Sequence, residues 1–466
     1  MDIKELIIKD VRCFAGEQRF RIRPLTFLIG ENSTGKTTAL GCFQVLRNFL
    51  QGPKPFGDVD FNTDPYQMGV FSDIARKTAS KNGEISTGKD FILGLKLSSK
   101  RKGGEIEYLV EFVEDKNGGE PVIRRQKIAS EKGDIIFERC EDIAEEAFAL
   151  RYDSIKTKKG KKIFCIRYQL PFESDAWGIL SNFHSILSDQ KDNTATEEAS
   201  IVRAANLSEE KEQPALKEYE KFIKYLLDLS SRNKRRFPLI GLNKSHSFGP
   251  TRSKPQRTYD PVKEVVNPEG DDIPMALRRI YRDKEAWKDL EDRLIKFGKR
   301  SGLFSEISVK EPIGDSMADP FQLRFKARGL QVNTVDVGYG VSQILPILVR
   351  LFVARRPVAF SIHQPEVHLH PRAQAELSTL LTTLIKRQGH QFIIETHSDH
   401  MINRARIDIM KKRISPEDVS LIYLEHTNNS VKVHNIEFDN MANLENAPNN
   451  YRKFFLSETN KLLGFD

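Results

Sequence analysis

Gly30-Glu31-Asn32-Ser33-Thr34-Gly35-Lys36-Thr37 fits the pattern G-x-x-x-x-G-K-[ST] and decides how the chain is read. The pattern has a physical logic. Glycines permit the tight backbone turns, and successive N–H groups at a helix N-terminus form a nest for anions. The lysine reaches the β- and γ-phosphates, and the hydroxyl that follows it ligates Mg²⁺. The cradle so assigned comprises Gly30, Asn32, Ser33, Thr34, Gly35, Lys36, Thr37 and Thr38, with Thr37 as metal ligand. The flanks supply the required context. Leu25-Thr26-Phe27-Leu28-Ile29 reads as an apolar strand ending in Gly30, and Thr37 to Leu50 reads as a helix closed by Gln51-Gly52-Pro53.

Outward from this loop, the first thirty residues alternate as short strands. Residues 88 to 170 read as strands and hairpins, with turns at Asn117-Gly118-Gly119 and Lys159-Gly160-Lys161. Residues 188–214 form a polar insertion, 215–230 an amphipathic helix, and Met275 to Phe297 another helix. From residue 341 helix and strand alternate: Val341–Ala354, Val358–Ile362, Pro371–Gln388, Gln391–Glu395 and Val419–Glu425. Such alternation implies βαβ units and a mainly parallel sheet.

Composition sets the bounds. The 466 residues exceed one ordinary core, and 39% hydrophobic with 30% charged residues fits a globular chain. No apolar stretch approaches the ~20 residues that span a bilayer, and the N-terminus has no apolar h-region, so neither membrane nor secretion is expected. Cys13, Cys42, Cys140 and Cys165 form no C-x-x-C pair, which fits a reducing, cytoplasmic setting. The net charge of +8 permits contact with nucleic acid without requiring it. Its basic runs are Lys100-Arg101-Lys102, Lys156 through Lys162 and Arg232-Asn233-Lys234-Arg235-Arg236. These read as solvated loops or as partner contacts.

Three further motifs lie late in the chain. Asp336-Val337-Gly338-Tyr339-Gly340-Val341-Ser342-Gln343 runs into an apolar helix and offers a second glycine-bracketed helix start to an anion. Val358 to Ile362 is an apolar strand that ends in His363-Gln364-Pro365-Glu366-Val367-His368-Leu369-His370-Pro371. Phe392-Ile393-Ile394 ends likewise in Glu395-Thr396-His397-Ser398. Polar strand ends at a sheet's C-terminal edge are where open α/β folds bind ligands. His368 and His370 are two metal-type residues without a third, so a turn competes with a zinc site.

The order of these four blocks resembles Walker A, signature, Walker B with D-loop, and switch histidine of an ABC-type AAA-family ATPase head of the RecF/SMC/OLD group. More narrowly it resembles the OLD-like ATPases of bacterial anti-phage systems, among them the ATPases of PARIS (AriA) and Septu (PtuA). Phe248-Gly249-Pro250-Thr251-Arg252 and Asn446 to Phe455 resemble further family segments. The resemblance implies an α/β ABC-ATPase head, with a mixed sheet around the P-loop, an antiparallel β lobe and a helical insertion. Its parts fall at 1–75 (core with Walker A), 76–187 (β-rich lobe), 188–319 (helical insertion) and 320–466 (core with signature, Walker B and switch histidine).

It also implies ATP and Mg²⁺ as cofactors. Two heads would bury ATP between the Walker A loop of one and Gly338, Gly340, Ser342 and Gln343 of the other, with higher homo-oligomers as an extension. Gln67 is a Q-loop candidate or a solvated loop residue. The Walker B departs from the pattern. Where ABC ATPases carry Asp then Glu, and OLD-like relatives Glu then Glu or Gln, stand His363, which offers hard Mg²⁺ no anionic oxygen, and Gln364, which is no base. Glu366 and Glu395 remain to polarise water, with His397 near the γ-phosphate, and slow or conditional hydrolysis follows. Beyond Ser398 there is neither the length nor the D-x-D cluster of a Toprim nuclease. The expected role is therefore a scaffold and sensor holding a separate effector, a nuclease or toxin. A DNA-binding repair ATPase like RecF is the alternative.

Overall fold

The computed structural model describes residues 2–51, 59–79, 84–98, 104–115, 118–131, 133–139, 147–154, 164–169, 244–260, 267–311, 319–451 and 461. The insertion at 188–214, the helix at 215–230, the three basic runs and the turn at Lys159-Gly160-Lys161 lie outside these residues. The chain divides into two compact units. One comprises residues 1–21, 41–242 and 427–432; the other comprises 22–40, 243–426 and 433–466.

The first unit is built on an antiparallel sheet. Its strands are β1 (Asp2–Val11), β2 (Phe14–Arg21), β6 (Asp90–Ser98), β7 (Glu105–Glu114), β8 (Pro121–Ser130), β9 (Gly133–Arg139), β10 (Ala147–Ser154) and β11 (Phe164–Gln169), with β4 (Lys77–Ala79) and β5 (Ile85–Thr87) as a separate pair. The order is β11-β10-β9-β8-β7-β6-β1-β2, so the two N-terminal strands belong to this sheet. Along β7 the buried residues are Ile106, Tyr108, Val110 and Phe112, every second position. Period-two burial is what a sheet with one covered face demands. Phe61, Phe91 and Phe112 close that face, with ring centroids 5.1–5.8 Å apart.

The second unit carries the mixed sheet. Its order is β12 (Ser245–Phe248), β16 (Ala359–His363), β17 (Gln391–Glu395), β3 (Leu25–Gly30), β18 (Val419–Thr427), β19 (Ser430–Phe438) and β20 (Leu444–Glu445). The first five strands run parallel. β16 is buried at all five positions and β3 at five of its six. Parallel strands covered on both faces need such continuous apolar runs. β13 (Glu306–Lys310), β14 (Gln322–Ala327) and β15 (Leu330–Asn333) form a small antiparallel sheet beside them.

Helices α1 (Lys36–Gln51), α2 (Phe71–Ile74), α3 (Ile273–Arg282), α4 (Lys284–Ser301), α5 (Tyr339–Val353), α6 (Pro371–Gln388) and α7 (Asp399–Met410) complete the described residues. The single helix expected over Met275 to Phe297 is two. Asp283 adopts extended backbone and its carboxylate accepts hydrogen bonds from the Glu285 and Ala286 N–H groups, capping α4 and ending α3. An aspartate within an amphipathic run is an N-cap signal that apolar periodicity overrides on paper. Among the described residues no helix is long and apolar enough to cross a membrane.

Candidate functional site

β3, β16 and β17 all end at one edge of the parallel sheet, and the site grows from those ends. β3 ends at Gly30, whose φ is +148°. A Cβ there would lie 2.5 Å from the Leu424 carbonyl oxygen, so only glycine lets the loop leave this closely. The loop then passes through Ser33 (φ +62°) and Gly35 (φ +84°) into α1. Asn32 and Ser33 are exposed at its tip, while Thr34 and Thr38 are buried. The Thr34 hydroxyl donates to the Glu31 carbonyl at 2.8 Å, pinning the turn from within.

Lys36 is buried and folded back over the loop. Its ammonium donates to the carbonyls of Glu31 (2.6 Å) and Gly30 (3.0 Å). Burial lowers its pKa, opposed by the charges of Glu395 and Glu31. The Thr37 hydroxyl donates to the Glu395 carboxylate, 3.0 Å from Oε2 and 3.3 Å from Oε1. Glu395 ends β17. Burial pushes its carboxyl above the usual range, against the pull of Thr37 and Lys36.

His363 ends β16, in register with Glu395. Its Nδ1 lies 3.6 Å from Glu395 Oε2. Burial, with the nearby Arg252 charge, holds the imidazole neutral and pushes its pKa down to about 4. Gln364 follows at φ +38°, and its N–H donates to the Glu395 carbonyl at 2.8 Å. Glu366 accepts the His397 backbone N–H at 2.6 Å, tying the two strand-end loops together. His397 itself is exposed. Burial of its inner side and then the Lys36 charge lower its pKa, against Glu366. Ser398 caps α7 by accepting the Met401 N–H and donates to Gln374 at 2.6 Å.

The structure brings Glu366, Glu395 and His397 to the strand ends beside the P-loop. It adds one residue to which the sequence assigned no role. Arg252 follows β12, the edge strand, and donates Nη2 to the His363 carbonyl at 2.9 Å. Its Nε and Nη1 are buried without a hydrogen-bond partner, and Glu366 Oε2 is in the same condition. Burial lowers the guanidinium's pKa to about 10, against the attraction of Glu366. A Gly-Pro turn directly after a strand, followed by arginine, was the available signal.

The second glycine-bracketed start is differently made. Gly338 (φ +93°) precedes α5, and a Cβ on Gly340 would lie 2.8 Å from the His368 carbonyl oxygen. The Ser342 hydroxyl is used inside its own helix, donating to the Tyr339 carbonyl at 2.9 Å. Ser342 and Gln343 are buried, while the Tyr339 ring is 57% exposed and lies against His368, centroids 5.7 Å apart. His370 caps α6, its Nδ1 accepting the Arg372 N–H. His368 lies in the preceding turn at φ +63°, and among the described residues no cluster of three or more His, Cys, Asp or Glu side chains forms a metal site. Gln67 lies in the other compact unit, on an exposed loop, and donates to Asp64 at 2.9 Å.

Among curated proteins none matches the sequence significantly. Among solved structures, a Smc head bound to the C-winged-helix domain of ScpA aligns over 94% of this chain and 98% of its own, at 11% identity and a TM-score of 0.40. A Smc head with an extended coiled coil, bound to the C-terminal domain of ScpA and derived from Pyrococcus furiosus, covers 99% and 98%, at 11% and 0.42. The SMC head domain of Thermotoga maritima covers 93% and 98%, at 10% and 0.33. A family model described as an AAA ATPase domain matches residues 1–402, which takes in the P-loop, the Gly338–Gln343 helix start and both strand ends, and the chain belongs to that family.

Proposed function

We propose that the chain is a slow, ATP-gated switch. The observation that carries this is the state of Lys36 and Thr37. Both are held by exchangeable protein oxygens, Lys36 by its own loop and Thr37 by Glu395. Triphosphate oxygens would replace the Gly30 and Glu31 carbonyls on Lys36, and the loop's N–H groups would complete the cradle. Glu395, beside Thr37 at the end of β17, is the group that would orient water at the phosphates. Glu366 fixes the His397 loop. A divalent cation bound at Thr37 and Glu395 would supply charge stabilisation at the phosphates.

In this reading two copies close around two ATP molecules, the exposed Tyr339 face of α5 meeting the partner's nucleotide, and the closed pair holds a separate effector in anti-phage defence. The support is the motif order and the open face at Tyr339. Turnover is set by the strand end. In Mg²⁺, His363→Glu should hydrolyse ATP at least ~10-fold faster than the chain as it stands. Equal, fast rates would remove the claim of a damped ATPase. The scaffold role is tested by affinity capture of the tagged protein with and without ATP. A single stoichiometric protein released on hydrolysis supports it, and ATP-dependent, salt-sensitive DNA binding with no protein partner replaces it by the DNA-repair reading.

A further inference from the structure

Three donors converge beside the P-loop, and one of them is wrong for Mg²⁺. Thr37 Oγ1 lies 3.0 Å from Glu395 Oε2, and His363 Nδ1 lies 3.6 Å from the same oxygen. Ligands at right angles around a six-coordinate cation with bonds near 2.1 Å stand about 3 Å apart. Thr37 and His363 thus each approach one Glu395 oxygen, at 3.0 and 3.6 Å, close to the spacing of neighbouring ligands on one small cation. Two of the three donors are oxygens, which Mg²⁺ accepts. The third is an imidazole nitrogen, which Mg²⁺ does not favour.

The imidazole is not free to swing away. His363 and Glu395 are paired in the β16–β17 register, so their side chains leave the same face of the sheet at the same height. Arg252 grips the His363 carbonyl and fixes the backbone at that point. The ring is 3% exposed, so solvent offers it no alternative orientation.

We infer that the nucleotide-associated metal site of this chain selects a first-row transition cation such as Mn²⁺ or Co²⁺ over Mg²⁺, with His363 supplying a nitrogen ligand beside Thr37 and Glu395. The inference rests on the nucleotide-binding reading above and deepens it. Nitrogen donors bind divalent first-row cations in the order Mn²⁺ below Co²⁺, with Mg²⁺ weaker than either. A carboxylate at position 363 would leave an all-oxygen set and return the preference toward Mg²⁺.

The test uses the full chain and a slowly hydrolysed ATP analogue. Nucleotide affinity is titrated in Mg²⁺, Mn²⁺ and Co²⁺ for the wild-type chain, His363→Asp and His363→Gln, each checked for folding by circular dichroism. The expected result is an affinity at least ~10-fold higher in Co²⁺ than in Mg²⁺ for the wild-type chain, falling by that factor in both variants. Pulsed electron paramagnetic resonance of the Mn²⁺ complex should show imidazole ¹⁴N coupling in the wild-type chain alone. Equal cation ratios in all three proteins, or the same ¹⁴N signal with and without His363, overturns the inference and leaves nucleotide binding standing. No nucleotide binding in any cation overturns both.

Discussion

Two glycine-bracketed helix starts sit in the same unit, and their surroundings differ more than their sequences. Gly30–Thr37 opens α1 with a buried lysine lying on its own loop, and with a carboxylate, an imidazole and a guanidinium gathered at the neighbouring strand ends. Gly338–Gln343 opens α5 just after Asp336, whose carboxylate is already paired with Arg257. Its serine is used on Tyr339, its second glycine abuts the His368 carbonyl, and its outward face is an exposed tyrosine. Both present N–H groups at a helix start, which makes either an anion site in principle. Only the first has groups that would change partners when phosphate arrives. A glycine-rich helix start is thus a permissive frame, and the strand ends around it decide what it does.

The largest expected effect tests that difference directly. Lys36→Ala removes a charge-assisted partner of the phosphates, worth about 3 kcal/mol, so ATP affinity should fall at least ~100-fold. Ser342→Arg should leave the affinity of one copy for nucleotide within ~2-fold while removing ATP-dependent dimerisation. Fluorescent-nucleotide titration at low protein concentration reads the first, and light scattering with ATP reads the second. A Ser342→Arg loss as deep as that of Lys36→Ala would merge the two starts into one site.

The glycines themselves give the next effect. Gly30→Ala drives a Cβ to 2.5 Å from the Leu424 carbonyl oxygen, and Gly340→Ala to 2.8 Å from that of His368. Both partners are backbone atoms, so strands or loops must move, at a cost of about 1–3 kcal/mol each. Gly338→Ala meets nothing within 4 Å and carries only the strain of φ +93°, about 1 kcal/mol. Denaturant midpoints should rank the three variants in that order. A Gly338→Ala loss equal to the others would show that backbone strain, not close approach, governs these turns.

Much of this was legible because the periods are clean. Leu25–Ile29, broken only by Thr26, and Phe392–Ile394 are apolar runs, and buried parallel strands have few other ways to be written. The P-loop was legible because lysine, threonine and glycine at fixed spacing have one common use. Three things were not. Asp283 splits a helix by a local cap that apolar spacing outvotes. Helix α7 was unread because its first turn mixes Ser398, Asp399 and His400 with motif residues that drew attention to chemistry. Arg252 showed only as part of a Gly-Pro turn resembling a family segment, because its partner, the His363 carbonyl, lies 111 positions away and is backbone. Long-range contacts to main chain leave no trace in composition or period.

The smallest expected effect separates the strand end at the site from one remote from it. Burial pushes both His363 and His390 down to about 4, against about 6.5 in an unfolded chain. His390 accepts the Val358 N–H and lies among Phe360 and Phe392, away from the P-loop. Between pH 6.5 and 4 the unfolded state binds more protons at each ring than the folded state does. The stability each contributes is therefore complete above about pH 6.5 and lost as pH falls toward 4. From pH 6.5 to 5.5 each ring should remove about 1 kcal/mol. Glu395, held high by burial, acts in the opposite sense and is retained in both variants. His363→Gln and His390→Gln should each lower the acid-side slope of unfolding free energy by a similar amount, while the smaller shifts of His246 and His397 remain in both. If His363→Gln instead leaves the slope intact, the imidazole at the site takes up its proton in the folded state, and the strand end beside the P-loop is more open to solvent and charge than its packing indicates.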